Sequence, residues 1–448
     1  MPVTYQSAVS QLLKLGHELA SEQKFNLGHM RRLADALGNP QRWLASVLIA
    51  GTNGKGSTAA TLANIVRAAG YRTGLYTSPH LLEVNERIQV DGEPISDAEF
   101  ALIYERVEAA ARHLVGRGEL PWHPSFFEML TAMMFEYFSS AGVELAVLEV
   151  GMGGRLDATN IADPSISVIT DIDFDHQKFL GDTLPKIAHE KAGIMRPGMT
   201  TVLLPQHPEV NETLGREILD HKARPVSAVR NMPPVTPEAA ALLARQSRFP
   251  LEVLGEEILI DSPLAGRHQL RNLALAITAA EELNHCGFKI LPRHIAEGVR
   301  TTQWRGRFEV LRAGTGFPET VLDVAHNPAG AWALRSTLSA SYEDRPITFI
   351  FGAMRDKAIA EIAEILFPLA ERVIATRADN PRAATPQEIA KLGGRSQSEI
   401  LEEESVAAAL ERARVSAGDN GVVVITGSIY IVGEALGLLT PGKARQSV

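Results

Sequence analysis

The chain has 448 residues, enough for two or three domains that each bury a core, and its 45% hydrophobic and 22% charged residues are ordinary for a globular protein. A formal charge of −9 excludes the broad basic face that nucleic-acid binding needs, and it means that an anionic substrate must be held by local cations. The single cysteine, Cys286, excludes an intrachain disulfide, no apolar run approaches the roughly 18 residues of a membrane span, and the N-terminal stretch does not read as a secretory signal; a soluble cytoplasmic protein is expected.

The first strong element is the apolar run Ser46 to Gly51, which reads as a buried strand. After it come "GTNGKGST" and then Ala59, Leu62, Ile65, Val66 and Ala69 at helical spacing, with Gly70 as a stop. A glycine-rich loop between strand and helix is the setting of a phosphate cradle. The common form, G-x-x-x-x-G-K-[ST], puts the hydroxyl directly after the lysine, whereas here Gly56 separates Lys55 from Ser57. Backbone N–H groups of Gly54, Lys55, Gly56 and Ser57 at a helix start would hold phosphate, and Lys55 would neutralise it. Further on, "SFFEMLTAMMFEYF" places Phe126, Leu130, Met133 and Tyr137 on one helical stripe, read as core packing. "ELAVLEVGMGG" and "SISVITDID" read as two more buried parallel strands.

The middle of the chain is less regular. Proline and alanine dominate from Val226 to Pro250, "LEVLGEEILIDSPLAG" suggests a short hairpin, and a long helix is expected from His268 to about Cys286. A second series of apolar runs, "TVLDVAH", "ITFIFGA", "RVIATRA" and "GVVVITGS", alternates with alanine-rich helical stretches, as in a second parallel-sheet domain. The boundary is expected between Gly298 and Arg305, giving domains 1–300 and 301–448.

Three residues stand where open parallel sheets bind ligands, at strand ends. Glu149 closes "AVLEV"; a buried carboxylate is costly, so it either meets a cation such as magnesium or points to solvent. His176 closes "TDIDFDH", with Asp173 and Asp175 competing for the same role. Asp323 in "VLDVAHNP" could accept hydrogen bonds from a ribose or cap the following helix.

Taken together, "GTNGKGST", "SPHL", "FFEMLTAM", "LEVGMGGRLDATN", "DHQKFLGDT", "HEKAGI", "DVAHNP" and "GSIYIVGE" resemble the folylpolyglutamate synthase family, including its bifunctional dihydrofolate synthases, within the Mur ligase superfamily. The unusual loop spacing is that superfamily's own. The resemblance runs from about Leu27 to Gly433. It implies an α/β fold, with an N-terminal parallel-sheet ATPase domain of Mur ligase type and a C-terminal Rossmann-like domain. It also implies ATP-dependent addition of L-glutamate to the γ-carboxylate of a folate through an acyl phosphate, in a monomer.

For the site, the resemblance implies that Thr52, Asn53, Gly54, Lys55, Gly56 and Ser57 hold ATP, together with Asn272, Arg307 and Asp323. Ser57, Ser78, Glu149, His176 and Lys191 would hold magnesium, Ser78 and Glu149 one ion and Glu149, His176 and a carbamylated Lys191 a second; the alternative for Lys191 is an ammonium turned toward Glu190. Phe25, Asn26, Leu27, Glu128, Arg155, Leu156 and Asp157 would lie against the folate, and His326 and Ser428 against the incoming glutamate. Two positions depart from the family pattern: Ala358 in "GAMRDKAI" stands where a second aspartate is common, and Asn26 replaces the aspartate of enzymes that also make dihydrofolate. Polyglutamylation is therefore expected ahead of dihydropteroate use. Rival readings are a cell-wall Mur ligase, whose extra N-terminal domain has no room before the loop, a non-ligase NTP-binding switch, and a folate-binding module.

Overall fold

The structure, a computed structural model, describes residues 3–15, 26–233, 247–312, 317–393, 399–418 and 420–440. Phe25 lies outside them. The chain divides into two compact units: Met1–Met232 with Pro250–Ile260 and Arg271–Thr302, and Pro233–Phe249 with Asp261–Leu270 and Gln303–Val448. The last switch between units falls at Thr302, and the second unit also takes short stretches from before residue 271.

The first unit holds strands β1 (Ala45–Ala50), β2 (Thr73–Tyr76), β3 (Ile88–Val90), β4 (Glu93–Pro94), β5 (Leu145–Glu149), β6 (Ile166–Ile169), β7 (Thr200–Leu203) and β8 (Arg224–Ser227). They form one sheet in the order β4-β3-β2-β5-β1-β6-β7-β8, parallel except for the β3 and β4 edge. β1 lies at the centre, with Val47 opposite Val147 of β5 on one side and Ile166 of β6 on the other. Val47 to Ala50 are wholly buried, as expected of a strand covered on both faces.

Helices α1 (Tyr5–Lys14), α2 (Leu27–Ala36), α3 (Lys55–Ala68), α4 (Asp97–Gly116) and α5 (Phe126–Ser140) follow in the same unit. Leu12, Met30, Leu33, Tyr104, Phe135 and Phe138 meet in one core cluster. Phe126, Leu130 and Met133 join it and Tyr137 packs at its margin, so the aromatic and methionine stripe is core. Strands β9 (Ser247–Val253) and β10 (Glu256–Ser262) pair through a two-residue connection, Leu254 and Gly255, both at positive φ as hairpin turns require. This pair begins four residues before the expected hairpin.

In the second unit, β11 (Glu309–Leu311), β12 (Glu319–Leu322), β13 (Ile347–Phe351), β14 (Arg372–Ala375), β15 (Glu399–Glu402) and β16 (Val422–Thr426) form a sheet in the order β11-β12-β16-β13-β14-β15. Only the β11 edge is antiparallel. Phe349, Phe351 and Phe367 fill its core, the last two edge-to-face at 5.3 Å. Among the described residues no helix is long and apolar enough to cross a membrane.

Candidate active site

Because β5, β1 and β6 are neighbours and parallel, their carboxyl ends bring three loops together: Gly51–Gly54, Val150–Asp157 and Thr170–His176. Thr52 and Asn53 donate their N–H groups to the Asp171 carbonyl at 2.8 and 3.1 Å, and Thr52 Oγ1 donates to the Asp173 carbonyl at 2.9 Å. The phosphate loop is thereby stitched to the strand beside it. Gly54 adopts φ 90° and immediately precedes α3, whose first turn receives no side-chain cap from it. Those N–H groups at the positive end of a helix suit an anion. A Cβ on Gly54 would come within 2.1 Å of Asn272 Oδ1, so buried Asn272 is pressed against the loop. Lys55 Nζ donates to the Thr52 carbonyl at 3.2 Å, which keeps the ammonium over the loop.

Glu149 is 5% exposed, and its Oε2 accepts from the Ser78 N–H at 3.1 Å. The carboxylate thus does not face solvent, and Ser78 and Glu149 are neighbours. His176 sits at φ 49° before helix α6 (Gln177–Leu180), with its Nε2 3.7 Å from Asp175 Oδ2. Asp175 and Asp173 each accept from the next backbone N–H, at 2.9 and 2.7 Å. Ser57 is buried in the first turn of α3.

Lys191 belongs to helix α7 (Leu184–Ala192) and is 4% exposed. Its Nζ donates to the Gly51 carbonyl at 2.7 Å, while Glu190 is held by Arg155 through Nη2–Oε1 at 2.6 Å. An ammonium turned toward Glu190 is therefore overturned: the carboxylate has another partner and the lysine faces the phosphate loop. Burial, and then the Lys55 charge, push the Lys191 amine down to about 7, against the opposing pull of Asp175 and Asp157.

Among the residues expected to border a folate, Asn26 Oδ1 caps α2 by accepting from Gly28 N–H at 2.8 Å, and Leu27 opens that helix. Glu128 Oε2 accepts from Ser125 N–H and Oγ at 2.8 Å, and its Oε1 faces His29 Nδ1 at 3.2 Å, so it locks α5 to α2. Asp157 braces its own loop, accepting from Met152 N–H and from Thr159 N–H and Oγ1; burial raises its carboxyl despite these bonds. Leu156 lies between this brace and the Arg155–Glu190 pair.

In the second unit, Asp323 follows β12 and accepts from Phe308 and Ala325 N–H groups, both at 2.9 Å. It caps no helix: the helix Pro328–Ser341 takes its cap from Asn327, whose Oδ1 accepts from Gly330 N–H at 2.8 Å. Burial raises the Asp323 carboxyl and the Arg307 charge opposes that rise. Arg307 Nη1 donates to the Gly306 carbonyl at 3.2 Å. Asp323→Ala is expected to orphan two buried N–H groups, at about 1–3 kcal/mol each, and to raise the Michaelis constant for ATP while leaving that for folate unchanged. Thermal melts and ADP-release kinetics check the two effects separately; an unchanged ATP constant would leave only the backbone role.

His326 Nδ1 donates to the Val324 carbonyl at 2.9 Å, and Ser428 Oγ accepts from Tyr430 N–H at 3.1 Å at the start of the helix Ile429–Leu439. They follow β12 and β16, which are neighbours. The sequence reading missed Arg382. Its Nε is buried without a partner, while its Nη2 reaches Tyr430 Oη at 3.5 Å. The signal lay in "ADNPRAATP", a polar turn just after the "RVIATRA" strand.

Residues 126–280 match the Mur ligase middle domain, and residues 306–429 match the Mur ligase glutamate ligase domain. Fold and site thus define a ligase of the Mur type. The dihydrofolate synthase/folylpolyglutamate synthase of Bacillus subtilis is 33% identical over 417 residues, covering 92% of this chain and 94% of that protein. Folylpolyglutamate synthase of Lacticaseibacillus casei is 33% identical over 414 residues, with 92% and 94% covered. The structure of Mycobacterium tuberculosis folylpolyglutamate synthase complexed with ADP matches with a TM-score of 0.84 at 33% identity, covering 96% of this chain and 98% of that one. The chain belongs to the folylpolyglutamate synthase/dihydrofolate synthase family.

Proposed function

We propose that this chain is an ATP-dependent ligase that adds L-glutamate to the γ-carboxylate of tetrahydrofolate. The observation that carries the reading is the uncapped start of α3 behind Gly54, with two lysines directed at the same loop, in a chain of this family. A carboxylate repels an incoming amine and has no good leaving group. Phosphorylation by ATP supplies one, and the amine of glutamate then displaces phosphate. Residues 52–57 hold the phosphates, and Lys55 offsets the charge that develops as the γ-phosphoryl group moves. Asn272, Arg307 and Asp323 hold the rest of the nucleotide. Asn26, Leu27, Glu128 and Arg155 to Asp157 border the folate, with Phe25 in the same role. His326 and Ser428 receive the glutamate.

Magnesium fits the donor set. Ser57, Ser78 and Glu149 offer hard oxygens, and buried Glu149 gains from a cation. Phosphate oxygens and water would complete the shell of an ion held there. Ser57, Ser78 and Glu149 would hold one ion, and Glu149, His176 and carbamylated Lys191 a second; when bound they would neutralise phosphate charge. Residues 1–300 form the ATP-binding part and 301–448 the glutamate ligase part in this reading, in a cytoplasmic monomer.

The likeness to the B. subtilis dihydrofolate synthase/folylpolyglutamate synthase favours dihydropteroate as a second acceptor. The test is ADP release with glutamate plus tetrahydrofolate or dihydropteroate, one at a time. Release that depends on both glutamate and tetrahydrofolate is expected, and nucleotide hydrolysis indifferent to both would overturn the ligase reading.

A further inference from the structure

A cavity of about 640 Å³ opens beside α2 and is lined by Arg31, Arg32, Asp35, Gln41, Arg42 and Asp163. Several guanidinium groups elsewhere in the first unit face carboxylates, as in Arg106–Glu136, Arg155–Glu190 and Arg271–Asp171, and Arg67 and Arg196 donate to carbonyls. Arg31, Arg32 and Arg42 make no ion pair or side-chain hydrogen bond among the described residues. The two acids do not answer them. Asp35 Oδ1 accepts from Asn39 Nδ2 at 2.8 Å, and Asp163 acts on the Arg196 charge. Gln41 is 6% exposed, gives its Nε2 to Asn39 Oδ1 at 3.2 Å and leaves its Oε1 without a donor. Three unanswered guanidinium groups around one concavity in an otherwise acidic chain concentrate anions there.

We propose that this cavity binds the γ-linked glutamyl tail of lengthened folates. The inference rests on the ligase reading above. Each γ-linked residue carries one α-carboxylate, which a guanidinium fork matches, and one amide N–H, the donor that the buried, unpartnered Gln41 oxygen lacks. Placement supports the same occupant. Arg31 lies on α2 about 6 Å beyond Leu27, at the rise of a helix, and α2 packs against the short helix Ala158–Ile161 that follows Asp157. The cavity therefore adjoins both segments that border the folate. In a processive lengthening reaction the reacting end must return to the phosphate loop each time, so earlier glutamates are displaced outward past the folate segments. Inorganic phosphates would satisfy the arginines but not the Gln41 oxygen.

Calorimetric titration of the full chain with free γ-tetraglutamate, without nucleotide or folate, tests the site directly. Saturable binding is expected, weakened about 10-fold by Arg32→Ala or Arg42→Ala, the loss of one charge-assisted contact, and strengthened by Asp163→Asn. In ligation assays Arg42→Ala should leave kcat/KM for monoglutamyl tetrahydrofolate unchanged and lower it about 10-fold for the triglutamyl form. Pyrophosphate is the second titrant. If it binds as tightly as tetraglutamate, or if tetraglutamate gives no heat or heat indifferent to the arginine substitutions, the proposal is overturned. A parent chain that binds tetraglutamate through these arginines but ligates no glutamate would sink the ligase reading while supporting the site.

Discussion

Lys55→Ala should lower ligation by at least the order of 10² to 10³, the loss seen when one key electrostatic donor is removed from a transition state. Its ammonium lies over the phosphate loop, bonded to the Thr52 carbonyl, and opens the uncapped helix that would receive the γ-phosphate. The native fold should persist, because the alanine keeps α3 intact and removes no buried apolar contact. A single-turnover assay of ADP release with saturating folate and glutamate separates this from weakened binding. Activity within a few-fold of the parent would remove the phosphate loop from the mechanism.

Lys191→Ala should cost about as much, on the order of 10²-fold or more, if the residue is carbamylated as proposed and so lends the ion an anionic oxygen. The physical argument runs through the amine's burial. An ammonium 4% exposed, facing another lysine's charge, is disfavoured, and its pKa sits at about 7. Below that pH the protonated form predominates and cannot react with carbon dioxide. Above it the neutral amine can form a carbamate, so incorporation of labelled bicarbonate at Lys191 should rise between about pH 6 and 8 around that midpoint. Acetate or formate should partly restore Lys191→Ala by filling the vacated place. Lys191→Arg should stay inactive, because arginine keeps its charge and forms no carbamate. Near-normal turnover of Lys191→Arg at saturating magnesium, or absence of label at pH 8, would reduce Lys191 to an ordinary cation.

The central elements were legible in the sequence because both faces of β1, β5, β6, β13 and β16 are buried and leave continuous apolar runs. The loop was legible because its glycines and lysine must sit at a strand-to-helix turn. Strands β2 and β3 escaped notice: "TGLY" and "IQV" are too short and mixed to show a period, and pairing with neighbours decides them. Partner choice among charged side chains escaped for a different reason. That Glu190 goes to Arg155 and Lys191 to a carbonyl, or that Asn327 rather than Asp323 caps a helix, depends on three-dimensional distance between groups of equal chemical suitability. Arg382 was overlooked because a lone arginine in a turn looks like solvent-facing charge until its buried Nε is seen.

Gly54 stands at φ 90° with Asn272 Oδ1 where a Cβ would go, and Gly51 has Thr170 Oγ1 within 1.8 Å of the same imaginary atom. In a library of every single substitution, positions 51 and 54 would thus return few variants of any chemistry, filtered out by room and handedness before catalysis is tested. Position 55, three atoms of backbone away, would return well-folded but idle protein. Yield and turnover would part company across five consecutive codons, and that contrast would map where the loop is held by shape and where by charge.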